Sequence, residues 1–230
     1  MRTPTGTVAF VGGGEFGAGC RDLDAELLAR SGSDEVLVLP TAAAFEHADR
    51  VLVRAAEHFG TLGAKVRGLE ILHRHDADDA AVDAAAAARF VYISDGSPLH
   101  LRSVLKGSEL YDAVASAYAD GAVLAASGAG ATVLGDPMVD PRGGAYTVGL
   151  GLVANLAVFP YHGTAADHLR ERSIDLLPAS ATLVGIDEET ALVRDPDGTW
   201  RVAGAGAVNL YDGGAAVAFN SGVVVDRLAL

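Results

Sequence analysis

The chain has 230 residues, half of them hydrophobic, and a formal net charge of −13 at pH 7. This length suits one large α/β domain over residues 1–230. The negative charge disfavours nucleic-acid binding, because it repels phosphate backbones. The apolar runs are too short to span a membrane. The lone cysteine, Cys20, excludes a disulfide framework.

The first ten residues, MRTPTGTVAF, lack the basic start and long apolar stretch of a signal peptide, so we expect a cytoplasmic location. Apolar and amphipathic segments then alternate over the first two thirds of the chain. The predicted strands are 7–14, 35–41, 65–72, 89–96, 122–127 and 156–162. The predicted helices are 22–32, 46–63, 78–88, 98–105, 109–121 and 165–177.

The predicted strands are continuously apolar rather than alternating, which is typical of a parallel sheet covered by helices. Residues 181–213 favour a hairpin, with Asp197 and Gly198 as its turn. The sequence therefore predicts a doubly wound α/β fold. It has a mostly parallel sheet with helices on both faces, plus a C-terminal β-hairpin region.

Candidate site residues lie at the ends of three predicted strands, at 12–15, 94–98 and 126–130. In open parallel sheets, sites form beyond the carboxyl ends of strands. Gly12, Gly14 and Gly17 fit a G-x-G-x-x-G pattern, but the second strand lacks the acidic residue that a dinucleotide site needs at its end. His73 and His75 lack further ligands at a fixed spacing, which favours a solvated loop. We therefore predict no metal or organic cofactor.

The segment LAASGAGATVLGD, residues 124–136, is typical of the strand–turn–helix that presents a nucleophile in hydrolases. If Ser127 is at the apex of the turn, it supplies the nucleophile. If Gly128 is at the apex, its flanking residues are Ala126 and Gly130 and the apex has no hydroxyl. The second frame is favoured because glycine adopts positive φ without penalty. His162, which ends a strand, fits either a catalytic base or a histidine bonded at the sheet rim.

These segments together resemble the cyanophycinase and dipeptidase E family of serine peptidases. That family has the class I glutamine amidotransferase-like fold, and the similarity runs nearly end to end. The matching segments are VGGGE (11–15), VLVLPTAAA (36–44), SDGSPLHLRSVLKGSEL (94–110), GDPM (135–138), GIDEETAL (185–192) and GAGAVNLYD (204–212).

The chain departs from the family pattern at the residues that the family uses for catalysis. The family's Gly-Thr-Ser-Ala-Gly-Ala falls on residues 126–131, so the nucleophile position is Gly128 and Ser127 lies on the threonine. Its Gly-Gly-Asp/Asn-Gln falls on residues 95–98, where Pro98 replaces the glutamine. The resemblance places His162 on the catalytic histidine and leaves Asp140 as the candidate for the acidic third member.

Two functional hypotheses follow from the resemblance. The favoured one is a homologue without covalent serine catalysis that binds a small carboxylate or peptide-like ligand, or has a diverged activity with His162 as acid or base. The alternative is an active serine hydrolase that uses Ser127, with His162 as general base. The expected pocket includes the backbone N–H groups of Gly96 and Ala129 as an oxyanion cradle, together with Gly128, Asp95 and Glu15. A homodimer is the default assembly.

Overall fold

The computed structural model describes residues 5–213 and 215–228. Its strands, in chain order, are β1 (Thr7–Val11), β2 (Glu35–Leu39), β3 (Lys65–Gly68), β4 (Phe90–Ile93), β5 (Val123–Ser127), β6 (Gly135–Asp136), β7 (Met138–Val139), β8 (Tyr146–Thr147), β9 (Val153–Ala154), β10 (Leu156–Phe159), β11 (Thr182–Ile186), β12 (Thr190–Arg194), β13 (Trp200–Gly204), β14 (Ala207–Tyr211) and β15 (Val217–Asn220).

The α-helices are α1 (Arg21–Ser31), α2 (Ala48–Thr61), α3 (Asp79–Ala87), α4 (Pro98–Leu105), α5 (Glu109–Ala119), α6 (Ala129–Leu134) and α7 (Asp167–Asp175). Three short 3₁₀ turns lie at Ala18–Cys20, Thr41–Ala43 and Arg74–Asp76. Within the described residues, no helix is both long and apolar enough to cross a membrane.

The main sheet has seven strands in the order β13-β12-β1-β5-β4-β2-β3. Strands β1 to β5 pair in parallel, and β12 and β13 add an antiparallel hairpin at one edge. Alternate residues of β1 point to opposite faces. Val8 and Phe10 pack with residues of α4 and α5, whereas Ala9 and Val11 pack with residues of α1 and α2. The predicted α/β fold with helices on both faces is therefore confirmed.

A second, six-stranded sheet has the order β15-β14-β11-β10-β6-β9. It includes the pair of parallel strands β10 and β11, which sequence analysis separated into a lone strand and a hairpin. The largest hydrophobic cluster contains residues of both sheets, such as Leu124 from the main sheet and Val184 from the second. This shared core fixes the carboxyl end of β5 relative to the end of β10, where the candidate site residues lie.

Local signals set several element boundaries. Gly32 ends α1 in the left-handed conformation, with φ 63°. The Asp78 side chain caps α3 by accepting the N–H of Ala81 at 2.9 Å. The predicted turn at Asp197 and Gly198 joins β12 to β13. The first strand is shorter than predicted and ends at Val11, because the glycine segment after it forms a turn beside the candidate site.

Candidate active site

The sharp bend after β5 lies at Gly128. Its backbone angles are φ 49° and ψ −106°, and α6 begins at the next residue. An added Cβ at this position would lie 2.1 Å from Cγ of Asp95. Both the backbone angles and the closeness of Asp95 therefore suit glycine, and the apex of the turn carries no side-chain oxygen.

The two expected oxyanion donors, the backbone N–H groups of Gly96 and Ala129, both bind the side chain of Asp95. Oδ1 of Asp95 accepts the N–H of Gly96 at 2.7 Å and the N–H of Ala129 at 2.6 Å. The hydroxyl of Tyr161 donates to the other oxygen, Oδ2. The Asp95 carboxylate thus occupies the place that an oxyanion or a ligand carboxylate would take in an open cradle.

Ser127 points away from this cradle. Its side chain is fully buried, and Oγ donates to Oε2 of Glu15 at 2.8 Å. Glu15 is itself only 5% exposed, and its Oε1 accepts the N–H of Asp95 at 3.3 Å. Burial, followed by the neighbouring charge of Asp95, raises the pKa of Glu15 above its ordinary value. The structure therefore joins Ser127, Glu15 and Asp95 through hydrogen bonds beneath the bend.

His162 lies beyond the end of β10 with both ring nitrogens engaged. Nε2 is 2.8 Å from the hydroxyl of Tyr211, and Nδ1 is 3.1 Å from Nδ2 of Asn209. The His162 backbone N–H donates to the carbonyl of Ile186 at 3.0 Å, which fixes the loop to β11. Burial lowers the pKa of His162, so the ring is neutral at pH 7. A neutral imidazole with two polar neighbours has the protonation state that a base needs, but its nitrogens are directed to β14 and not to Ser127.

The carboxylate beside His162 is Asp187, whose Oδ1 lies 3.6 Å from Nδ1. Sequence analysis missed this residue, although it belongs to the GIDEETAL match. The structure places Asp140 elsewhere: its carboxylate binds Arg142 at 2.6 Å, and it lies in the wall of the cavity described below. Hydrogen bonds from the Arg142 side chain lower the pKa of Asp140. The described contacts thus bring Asp187, and not Asp140, to His162.

Tyr161 is a second residue that sequence analysis missed. Its backbone lies in the left-handed region, with φ 54°, which is uncommon for a bulky residue. Its ring covers Gly13, where an added Cβ would lie 2.3 Å from the ring. Burial and the hydrogen bond to Asp95 raise the pKa of the Tyr161 hydroxyl, which keeps it a donor. A tyrosine held in this conformation fixes the orientation of Asp95.

A cavity of about 250 Å³ opens beside Asp95. Its polar end is formed by Asp95, Gly96 and the hydroxyl-bearing Tyr161, and its wall is largely apolar. The apolar lining residues include Pro98, Val139, Pro141, Phe159 and Leu169. The cavity is somewhat smaller than the roughly 300–1,000 Å³ of most ligand pockets, so it suits a small ligand.

The two histidines of the HRHD segment lie outside this cavity. His73 and His75 are exposed, and their ring nitrogens and the Asp76 carboxylate lie within 4.8 Å of one another. Asp76 accepts the N–H groups of Leu72 and His73, at 3.1 and 2.7 Å, and so stabilises the 3₁₀ turn. These hydrogen bonds explain why the segment forms a structured loop.

Comparisons with known proteins agree with this architecture. The model of peptidase family S51 matches residues 8–201. Cyanophycinase from Nostoc sp. is 28% identical over 232 residues, covering 92% of this chain and 76% of its own, and cyanophycinase from Synechococcus elongatus is 26% identical over 90% and 68%. The crystal structure of a peptidase from an acI-B1 actinobacterium superposes with a TM-score of 0.87 at 27% identity, covering 98% of each chain. The chain belongs to peptidase family S51.

Proposed function

We propose that this S51 family member does not form an acyl-enzyme and instead binds a small peptide-like ligand in the cavity beside Asp95. The observation that carries the proposal is the position of the Asp95 carboxylate. It accepts both backbone N–H groups of the cradle, from Gly96 and Ala129, and lies where a side chain at Gly128 would be. A cradle occupied in this way has no free donors for a tetrahedral oxyanion.

The position of the nearest hydroxyl supports the same proposal. Ser127 is fully buried, and its Oγ is bonded to Glu15 while the His162 ring is bonded to Tyr211 and Asn209. A nucleophile needs a base within hydrogen-bond reach and a path to the substrate. Loss of the activated serine in a triad lowers kcat by roughly 10⁶-fold, so binding is the activity that such a site retains.

The sequence-based expectation of a carboxylate ligand in the cradle is less well supported than that of a peptide-like ligand. A ligand carboxylate would compete with Asp95 for the same two N–H groups and would meet its negative charge. The apolar wall of the cavity, with Phe159 and Leu169, suits the side chain of a short peptide or a single amino-acid derivative. The cytoplasmic location and the homodimer stay predictions.

Paired substitutions test the proposal. We expect wild type, Gly128→Ser and Asp95→Gly each to lack peptidase activity and labelling by a fluorophosphonate probe. In Gly128→Ser the new side chain still meets Asp95, and in Asp95→Gly the apex still lacks a hydroxyl. The double variant Asp95→Gly/Gly128→Ser opens the cradle and supplies the hydroxyl, so we expect labelling only there, at the introduced serine, with the His162 ring turning from Tyr211 to act as its base.

The alternative, an active hydrolase that uses Ser127, gives a different result in the same assay. Wild type would be labelled and would cleave peptides, and Ser127→Ala would abolish both. Mass spectrometry of the labelled peptide identifies the modified serine. That outcome would refute the proposed function.

A further inference from the structure

The polar end of the cavity is negatively charged. Asp95 lies at this end, and Glu15 lies behind it, with Glu15 Oε1 3.3 Å from the backbone nitrogen of Asp95. Across the described residues, neither carboxyl group forms an ion pair with a lysine or arginine side chain. Arg54 approaches Glu15, but its guanidinium binds the backbone carbonyl oxygen, at 2.7 Å. Asp95 therefore lines this end of the cavity with a second carboxyl group behind it, and neither has a cationic side-chain partner among the described residues.

The rest of the cavity does not offset this charge. Asp140 also lines it, and the Arg142 guanidinium that neutralises Asp140 is largely exposed. The remaining wall is apolar apart from Thr132, whose hydroxyl donates to the carbonyl of Gly128 at 3.0 Å. Partly buried negative charge in an apolar setting is stabilised by a cation with N–H donors.

Geometry at Asp95 leaves room for such a partner. Oδ1 accepts two backbone N–H groups, and Oδ2 accepts the Tyr161 hydroxyl. These bonds fix the carboxylate plane, so its orientation toward the cavity is set before a ligand arrives. A carboxylate oxygen has two lone-pair directions, and one on Oδ2 is not used by these bonds.

We infer that the cavity takes a small organic cation, an ammonium or guanidinium group on an apolar body, with the charged group against Asp95. This inference rests on the proposed function, since it names the class of ligand that the non-hydrolytic site binds. The apolar body lies along Val139, Phe159 and Leu169, and the cation donates to the Asp95 carboxylate. The volume of about 250 Å³ limits the ligand to one ring or one short chain.

Titration calorimetry with four matched probes tests the inference on wild-type protein. The probes are 2-phenylethylammonium, 2-phenylethylguanidinium, 2-phenylethanol and 3-phenylpropionate, which share the ring and differ at the polar end. We expect at least one cation to bind roughly ten-fold or more tightly than the alcohol and the carboxylate, because a charge-assisted hydrogen bond distinguishes them. The two cation arms identify whether the site prefers ammonium or guanidinium.

Two variants locate the binding site. Asp95→Asn keeps the shape of the side chain and removes its charge, so we expect cation affinity to fall roughly ten-fold or more. Asp83→Asn is the matched control: it changes the net charge equally, but Asp83 is exposed on α3 and does not line the cavity. We expect its affinity to stay within about two-fold of wild type. The wild-type probe series decides the question even if Asp95→Asn does not fold.

The inference is overturned if the alcohol or the carboxylate binds as tightly as both cations, if no probe binds, or if a folded Asp95→Asn retains wild-type affinity. Fluorophosphonate labelling of the same wild-type sample separates this failure from failure of the proposed function. An unlabelled protein that binds only the carboxylate refutes the cation and leaves the non-hydrolytic site standing. A protein labelled at Ser127 refutes the proposed function itself.

Discussion

The two halves of the site, one at the end of the main sheet and one at the end of the second, differ in what they retain. At the main sheet, a glycine with positive φ forms the bend after β5, and the Asp95 carboxylate accepts the two backbone N–H groups that were expected to bind an oxyanion. At the second sheet, His162 is neutral and has an acidic neighbour, Asp187. Under the proposed function, the backbone scaffold of a serine-peptidase site persists without its reactive side chain.

The largest expected effect concerns stability at the bend. We expect Gly128→Ala to lower the free energy of unfolding by roughly 2–4 kcal/mol, because the residue has positive φ and the new Cβ meets Asp95. In an Asp95→Gly background the loss should shrink by about 1–2 kcal/mol. Urea unfolding of the four proteins in this double-mutant cycle measures the coupling.

A glycine without such neighbours provides the control for that cycle. Gly60 lies within α2 and has nothing within 4 Å of an added Cβ. Gly60→Ala should therefore raise stability by about 0.5–1 kcal/mol. Equal losses from Gly128→Ala with and without Asp95 would show that backbone strain alone, and not the carboxylate, requires glycine at the bend.

The next effect is the pH dependence of stability from Glu15. Burial raises its pKa above the ordinary value of 4.5, so the folded state binds this proton more tightly than the unfolded state. Its stabilising contribution is complete below the ordinary pKa and is lost as the pH rises through the raised value. Glu15→Gln lacks the charge, so we expect the variant to gain stability relative to wild type as the pH rises from about 4 to about 8.

Urea unfolding across this pH range measures the Glu15 effect. Glu46→Gln, at an exposed position, is the matched control and should leave the shape of the pH profile unchanged. Parallel profiles for Glu15→Gln and wild type would contradict the expected destabilisation by a charged, buried Glu15.

A smaller effect distinguishes the two acidic residues considered as partners of His162, Asp187 and Asp140. The pKa of His162 lies below its ordinary value of 6.5 because of burial, and Asp187 partly offsets this lowering. Asp187→Asn should therefore move the NMR titration midpoint of the His162 ring further down. If the midpoint instead responds to Asp140→Asn and not to Asp187→Asn, the structural assignment of the neighbour is incorrect.

The smallest effect is expected at Asp140 itself. Its partner Arg142 is exposed, with 74% of its side chain accessible, and such pairs contribute about 0–1 kcal/mol. Asp140→Asn should change the free energy of unfolding by no more than that, as measured by urea denaturation. A loss of several kcal/mol would mean that the loop supports the site more strongly than its contacts indicate.

Much of the fold was predictable because its signals are local. The strands are continuously apolar. Two helix boundaries are set by neighbouring residues, with Gly32 directly after α1 and Asp78 directly before α3. The second sheet was not predictable in the same way, since β6 and β9 have only two residues each and pair across distant segments. A pattern of hydrophobic residues does not identify strands of only two residues.

The position of the candidate site in the fold was predictable from the sequence, but the contacts among its side chains were not. The glycine at the bend and the residues at three strand ends follow from motif spacing. The orientation of the Asp95 side chain does not, because it depends on Tyr161, which is 66 residues away in the chain. The proximity of Asp187 to His162 likewise depends on the pairing of β10 with β11.

The close approach of Asp95 to Gly128 also has a consequence for redesign of the site. A serine side chain in place of Gly128 would meet the carboxylate at once, whereas a glycine in place of Asp95 removes the obstacle at the bend. We therefore expect a side chain at position 128 to be tolerated better when position 95 carries a small residue, so the effect of a substitution at one position depends on the residue at the other.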